Sequence, residues 1–378
     1  MKILHICLAN FYIEGMGYQE NILPAYHVES GYDVSILTSA HIFDRKKSGG
    51  KDCYVNDFGA TVKCLKNKYE RTGRRFRIYS GLYEEICSLS PDIIFVHGGQ
   101  FVSLKDVIKY CKKNREVKLY IDQHADYYNS PVNSIRSKLF AKCVIGHYMR
   151  KAEKYTRKFW GVTPWRCQFL NEIYGISKEK IALLNMGGDD RKIDFEKKDI
   201  IRESLRKELG FTASDFVAVT GGKIDKAKNI HLLMRAVKDI NNDNIKLVVF
   251  GKQAEGMKDE ISFLAEDSHI KYIEWLPADK VYDYFLMADL AVFPGTHSVL
   301  WEQACACGLP ALFKDWVGMR HVNVNGNCEF LYNDSADEIA TKISEIYSDK
   351  EYYNRMKSAA EECKKEFFYS EIAKKSIS

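Results

Sequence analysis

The residue types that could handle a charged, hydroxyl-rich ligand gather in residues 290–310, LAVFPGTHSVLWEQACACGLP. Thr296, His297, Ser298 and Val299 lie between a short apolar run and a helical pattern carrying Glu302. With Thr296 or Ser298 as N-cap, the helix is predicted to run to Ala306, where Gly308 and Pro310 stop it. Such a helix presents free N–H groups and a positive dipole end to a phosphate. Glu302, four residues past Ser298, shares its face and can accept hydrogen bonds from ribose hydroxyls. The plainer alternative is an ordinary strand-turn-helix with a glutamate favoured at the helix N-terminus. A second pair, Lys223 and Lys228, flanks the loop opened by Gly221-Gly222. Two ammonium groups at the C-terminal edge of a strand can neutralise a diphosphate as a metal ion would, although most lysines are simply solvated. No Asp-x-Asp occurs in the sequence. The commonest carboxylate seat for a nucleotide-bound metal is therefore missing, and no metal site and no cofactor are expected.

These residues need a scaffold of strands whose C-terminal ends share one edge. KILHICLA reads as a first strand and is followed by the loop Gly15 to Glu20, then a helix to about Glu29. Strands follow at Asp33 to Thr38, at PDIIFVH ending in His97, and at Lys118 to Asp122, just before Gln123-His124-Ala125-Asp126. Residues 135–160 read as one or two basic amphipathic helices with Ile135, Leu139, Val144, Tyr148, Tyr155 and Phe159 turned toward a sheet. Residues 41–80 read as an irregular basic segment, with Lys63, Lys66, Lys68, Arg71, Arg74, Arg75 and Arg77 around Tyr69 and Phe76. The pattern breaks near Asn185 and restarts with strands at Phe216 to Thr220, Lys246 to Phe250 and Ile270 to Trp275. The alternation predicts an α/β protein with two Rossmann-like, doubly wound domains facing each other across a cleft. The domains are expected at residues 1–190 and 191–360, with 361–378 as a C-terminal helix packing back on the first.

The chain has 378 residues, 11 cysteines and a net charge of +5. The cysteines are scattered without a Cys-x-x-Cys pair, which suits a reducing cytoplasm. Residues 1–170 hold 27 Lys+Arg against 16 Asp+Glu, a balance of +11, and the remainder holds 29 against 35, a balance of −6. The first half is therefore expected to face something anionic: a membrane surface or a phosphorylated acceptor. No nucleic-acid-binding motif is present, and nucleic acid is not expected as a partner. The apolar part of the N-terminus is too short for a signal peptide, which disfavours a solute-binding protein. A nicotinamide-dependent dehydrogenase is disfavoured too. Gly15-x-Gly17 lacks its third glycine, and the second strand ends in Thr38-Ser39 without a ribose-binding acid.

On these residues the chain resembles the retaining glycosyltransferases of the GT-B fold, close to family 4 (glycosyltransferase group 1). The likeness rests on KILHICLA with GMGYQE, on PDIIFVHG, on the strand ending at His124, and on Asn185-Met186-Gly187-Gly188-Asp189. It continues in GGKIDKAKN, with Gly222, Lys223 and Lys228, in Trp275-Leu276 and in Glu302-Gln-Ala-Cys-Ala-Cys-Gly-Leu-Pro. The resemblance implies transfer of a sugar from a nucleotide diphosphate sugar, UDP-sugar favoured, with retained configuration and without metal. It implies a glycan or lipid-linked acceptor in polysaccharide or glycolipid assembly. His124, Asp126, Lys223, Lys228 and Glu302 would carry the chemistry. Trp275 and Leu276 would meet the base, and Gly222 with Thr296 to Val299 the donor. Gly15, Gly17, Glu20 and His97 would border the acceptor. Domain closure around Asn185 to Asp190 would exclude water. The family usually carries a second glutamate eight residues before Glu302; here that position is Pro294, with His297 and Ser298 in a shortened loop. Loss of that glutamate leaves a non-catalytic GT-B-like partner subunit as the alternative.

Overall fold

A computed structural model describes residues 1–40, 52–68, 77–130 and 134–378. Two compact units emerge: Met1–Asn185 together with Ile372–Ser378, and Met186–Glu371.

In the first unit the elements run β1 (Lys2–Cys7), α1 (Gln19–Glu29), β2 (Asp33–Ser39), β3 (Cys53–Val55), β4 (Thr61–Leu65), α2 (Leu82–Leu89) and β5 (Ile93–His97). They continue with α3 (Leu104–Lys113), β6 (Lys118–Gln123), α4 (Ile135–Phe140), α5 (Gly146–Glu153), β7 (Thr156–Gly161), α6 (Pro164–Glu172) and β8 (Ile181–Leu183). The sheet order is β3-β4-β2-β1-β5-β6-β7-β8, parallel except for the β3–β4 pair. Central strands of such sheets are covered on both faces and so read as continuous apolar runs; all five residues of β5 are buried. The β3–β4 hairpin lies inside the segment expected to be irregular. Lys63 alternates outward there and pairs with Glu85 at 2.6 Å. Arg71, Arg74, Arg75, Tyr69 and Phe76 lie outside the described residues.

Residues 135–160 depart from the expected pattern. A π-helical turn, Ala141–Ile145, separates α4 from α5. It adds about one residue to that turn and rotates the apolar stripe. The buried side chains are consequently Ile145, Met149 and Ala152, while Ile135 and Leu139 are exposed. Tyr155 lies between α5 and β7, and Phe159 on β7.

In the second unit the elements run α7 (Lys198–Glu208), β9 (Phe216–Gly221), α8 (Ile230–Ile240), β10 (Ile245–Phe250), α9 (Lys258–Leu264), β11 (Ile270–Ile273) and α10 (Val281–Met287). Then come β12 (Leu290–Phe293), α11 (Leu300–Ala306), β13 (Ala311–Lys314), β14 (Cys328–Leu331), α12 (Ala336–Ser348), α13 (Lys350–Cys363) and α14 (Tyr369–Ser376), whose last residues belong to the first unit. The sheet is fully parallel in the order β11-β10-β9-β12-β13-β14. The winding reverses between β9 and β12. In open α/β sheets ligands bind outside the carboxyl ends of the strands at such a reversal. The loops that meet there follow Gly221 and Phe293, the two stretches that carry Lys228 and His297.

Candidate active site

In the second unit, glycine lets these two loops approach closely. Gly222 has φ +109 and Gly251 φ +123, and a Cβ on Gly251 would lie 1.9 Å from the Gly222 carbonyl oxygen. A Cβ on Gly295 would meet the Ala227 carbonyl oxygen at 2.3 Å. With those Cβ atoms absent, the Thr296 amide donates to the Ala227 carbonyl (2.9 Å). Lys228 Nζ donates to the Thr296 and His297 carbonyls at 2.6 and 3.0 Å. Lys228 is partly buried, and that burial lowers its pKa, opposed by Asp225. Two of its three N–H groups are thus spent on closing the loop.

Helix α11 begins at Leu300, not at Thr296 or Ser298, and no side chain caps it. The Lys228 ammonium group takes the Thr296 and His297 carbonyls, which keeps those two residues out of the helix. Glu302, in the first turn, is fully buried. Its Oε1 faces His297 Nε2 at 2.8 Å and His321 Nε2 at 3.1 Å. Burial raises its pKa, but the charge and hydrogen bonds of His297 and His321 outweigh burial and bring it down to about 2. Its other oxygen, Oε2, is buried and without a partner, as are His321 Nδ1, Trp301 Nε1 and Thr220 Oγ1. Buried polar atoms are normally satisfied, so Oε2 keeps an accepting capacity that no described side chain takes up. His321 has no mark in the sequence; it reaches Glu302 from the loop after β13, across 19 positions.

Lys228 and Glu302 therefore converge, both tied to His297. Lys223 is exposed and leans on Asp225 at 3.4 Å. Trp275 is exposed just past β11, at the same sheet edge, with Leu276 half-buried beside it.

The first unit builds its own cluster at the C-terminal ends of β5 and β6. Asp122 is buried. Its Oδ2 faces His97 Nδ1 at 3.0 Å and His124 Nε2 at 3.2 Å, and its Oδ1 accepts the Gly98 amide at 2.8 Å. Burial opposes its ionisation, yet His124 and then His97 hold its pKa below the usual carboxylate range. Burial likewise opposes protonation of His124, but Asp122 and Glu20 raise its pKa. Glu20, buried in the first turn of α1, lies 4.0 Å from His124.

Among the described residues, Glu20, His97 and His124 form the grouping spaced closely enough for a metal ion. The two ring nitrogens of His97 already face Asp122 and His5 Nδ1 (2.9 Å), so the set reads as an ion-paired network. Asp126 turns away from this edge. Its Oδ1 accepts the Tyr128 and Asn129 amides, both at 2.9 Å, and its Oδ2 pairs with Arg166 at 3.2 Å, which fixes the loop after β6.

Beside His124 a cavity of about 500 Å³ opens, lined by Asn10, Arg77 and Gln100 on its polar side and by Phe140, Ile145 and Phe169 on its apolar side. Asn10 Nδ2 is buried without a partner. Arg77 lies over Phe11 and donates to the Ala9 carbonyl at 2.5 Å, its pKa lowered by burial. Gly15 (φ +74) and Gly17 lie in the loop after β1 with open space where a Cβ would go, and neither lines the cavity. Asn10, Arg77 and Gln100 come from three separate loops, so no spacing in the sequence announces them.

Both units are Rossmann-like, and solved structures similar to the chain carry the same two-domain fold. A glycosyltransferase from Rickettsia africae superposes with a TM-score of 0.69 at 12% identity, over 99% of this chain and 96% of that one. Anabaena HepE in complex with UDP gives 0.69 at 16%, over 99% and 98%. The fold is GT-B. A UDP-GlcNAc 2-epimerase from Neisseria meningitidis matches the same GT-B frame with a TM-score of 0.64 at 13% identity, over 99% and 98%. At such identities the likeness establishes architecture and leaves chemistry open. Residues 201–363, inside the second unit, match the family model described as glycosyl transferases group 1. By sequence, no curated protein matches the chain. No described helix is long and apolar enough to cross a membrane.

Proposed function

We propose that the protein transfers a sugar from a nucleotide diphosphate sugar, UDP-sugar favoured, to a glycan or lipid-linked acceptor, with retention of configuration and without a metal ion. One observation carries the reading. At the switch point of the second unit a buried, ionised Glu302 keeps one oxygen unpartnered, beside a loop fastened by Lys228. Ribose hydroxyls donating to Oε2 complete that carboxylate. The remaining N–H of Lys228 then answers the charge that develops on the departing diphosphate. Trp275 and Leu276 border the base, and Lys223 can swing from Asp225 toward phosphate. The group 1 match over this unit favours transfer over the epimerase chemistry known on the same frame.

In the first unit His124, kept protonatable by Asp122 and Glu20, faces the cavity and orients sugar hydroxyls. The cavity's polar and apolar sides suit an amphipathic acceptor. The basic first half of the chain favours anionic headgroups, consistent with a cytoplasmic protein resting on the inner face of a membrane. The proposed donor chemistry calls for no cofactor.

A thermal-shift series of uridine and guanosine diphosphate sugars without magnesium tests this reading. A ligand at a hundred times its Kd stabilises by about 2.7 kcal/mol, and the shift should vanish in Lys228→Ala. A strict requirement for a divalent ion, or no shift with any nucleotide sugar, would overturn it.

A further inference from the structure

Three buried imidazoles stand in a row behind Asp122, and the proposed transfer uses none of them. His97 closes β5, His5 lies in β1 and His27 in α1; each is buried. His97 Nε2 faces His5 Nδ1 at 2.9 Å, and His5 Nε2 faces His27 Nδ1 at 3.0 Å. The rings stack with centroids 5.2 and 5.1 Å apart. His27 Nε2 ends the row, 3.2 Å from both the Ala373 carbonyl oxygen and Ser376 Oγ in the last helix. Ser376 Oγ is also 2.7 Å from that carbonyl.

Counting hydrogens gives the row a direction. Asp122 receives from the Gly98 amide, His97 and His124, so it stays a carboxylate and accepts from His97 Nδ1–H. His97 Nε2 must then accept from His5 Nδ1–H, and His5 Nε2 from His27 Nδ1–H. Three neutral rings supply three hydrogens, and the row has four links. The fourth, at His27 Nε2, needs a donor from outside. Either the Ser376 hydroxyl turns onto it, or an added proton sits on His27 Nε2 and points at the Ala373 carbonyl while Ser376 donates to that same carbonyl.

We propose that His97, His5, His27 and Ser376 are positioning residues, one directional hydrogen-bonded wire that fixes Asp122, and through it His124, and ties that pair to the seating of the chain's last residues. The wire has two complete states that differ by a single proton. Burial pushes the pKa of His5 down, reinforced by His27 and His97; burial brings that of His27 to about 4, against the Ala373 carbonyl. Near neutral pH His5 and His27 are therefore uncharged, with Ser376 as the terminal donor of the row. The titratable groups near it are Cys7 on β1, whose thiol burial keeps protonated, Glu20 on α1, Asp122 on β6 and His124 just past that strand. Tyr32 meets His27 edge-on, and Lys374 and Lys375 on the last helix are exposed.

Nitrogen-15 NMR of the histidine rings in the full chain, titrated from about pH 8 down to about pH 3 so that the His27 midpoint falls inside the range, tests the wire in wild type, Ser376→Ala and Ser376→Thr. The expected result near neutral pH is the Nδ1–H tautomer on His5, His97 and His27. In Ser376→Ala only a proton can complete the fourth link, so the His27 midpoint should rise by about one pH unit, what one hydrogen bond is worth. The His124 curve should move with it, and Ser376→Thr should restore both. An Nε2–H tautomer on His5 or His97, or unmoved His27 and His124 curves in Ser376→Ala, would overturn the proposal. These readouts follow the imidazoles themselves, so they fail or succeed apart from the transferase reading, which only gives His124 its task.

Discussion

Each unit places a buried carboxylate between two imidazoles at the C-terminal edge of a parallel sheet, and the two sites differ in what is left over. Asp122 sits between His97 and His124, and its second oxygen takes the Gly98 amide. Glu302 sits between His297 and His321, and its second oxygen has no partner. The same chemical group is thus closed in one unit and open in the other. A closed network is a positioning device, because a fully satisfied buried carboxylate has nothing to gain from a ligand. An open one carries a standing desolvation cost of about 1–3 kcal/mol that a donating ligand relieves.

The comparison breaks most sharply on stability. Asp122→Asn, which removes the carboxylate charge that His97 and His124 both face in the closed network, should cost about 3–5 kcal/mol in chemical denaturation. Glu302→Gln should cost clearly less, because the wild-type site already carries an unsatisfied atom. Equal losses would erase the distinction between closed and open. On activity the order reverses. Glu302→Ala should lower transfer by roughly 10²- to 10³-fold, the scale of losing one preorganised polar contact, measured as sugar release or transfer from UDP-sugars. Next in size is nucleotide binding itself: calorimetry with UDP should show Glu302→Ala losing affinity about tenfold or more, while a cavity variant such as Phe140→Ala leaves it unchanged.

The smallest effect is the pH dependence, and here Glu302 and His124 carry opposite signs. The pKa of Glu302 falls from 4.5 to about 2 on folding, so its contribution is present above about 4.5 and lost as pH drops toward 2. The pKa of His124 is raised above 6.5, so its contribution is present below that value and lost as pH climbs through the raised one. Stability curves against pH should therefore lose their acid limb in Glu302→Gln and flatten on the alkaline side in His124→Gln.

The central strands of both units were legible because parallel strands covered on two faces read as apolar runs, as IIFV and FVAV do, whereas β3, β4 and β14 carried no such signal. Glu302 and Lys228 stood out in the sequence by their places after such strands, and the structure adds that both meet His297. The start of α11 was misread, since Thr296 and Ser298 are good caps in isolation and nothing local shows Lys228 claiming the Thr296 and His297 carbonyls. Residues 135–160 misled in the same way, as a π turn leaves no trace in a period-of-3.6 pattern.

By itself, then, the sequence determined the period and order of the elements, and with them a doubly wound pair of sheets whose strand ends carry the polar residues. Which of those residues meet was decided only by the tertiary structure. His321 joining Glu302, Asp126 leaving the site for Arg166, and His27 reaching Ser376 all depend on contacts between elements separated along the chain. Periodicity arises from each residue's neighbours along one element, whereas a shared proton or an orphaned oxygen depends on the distance between elements, which no spacing along the chain encodes.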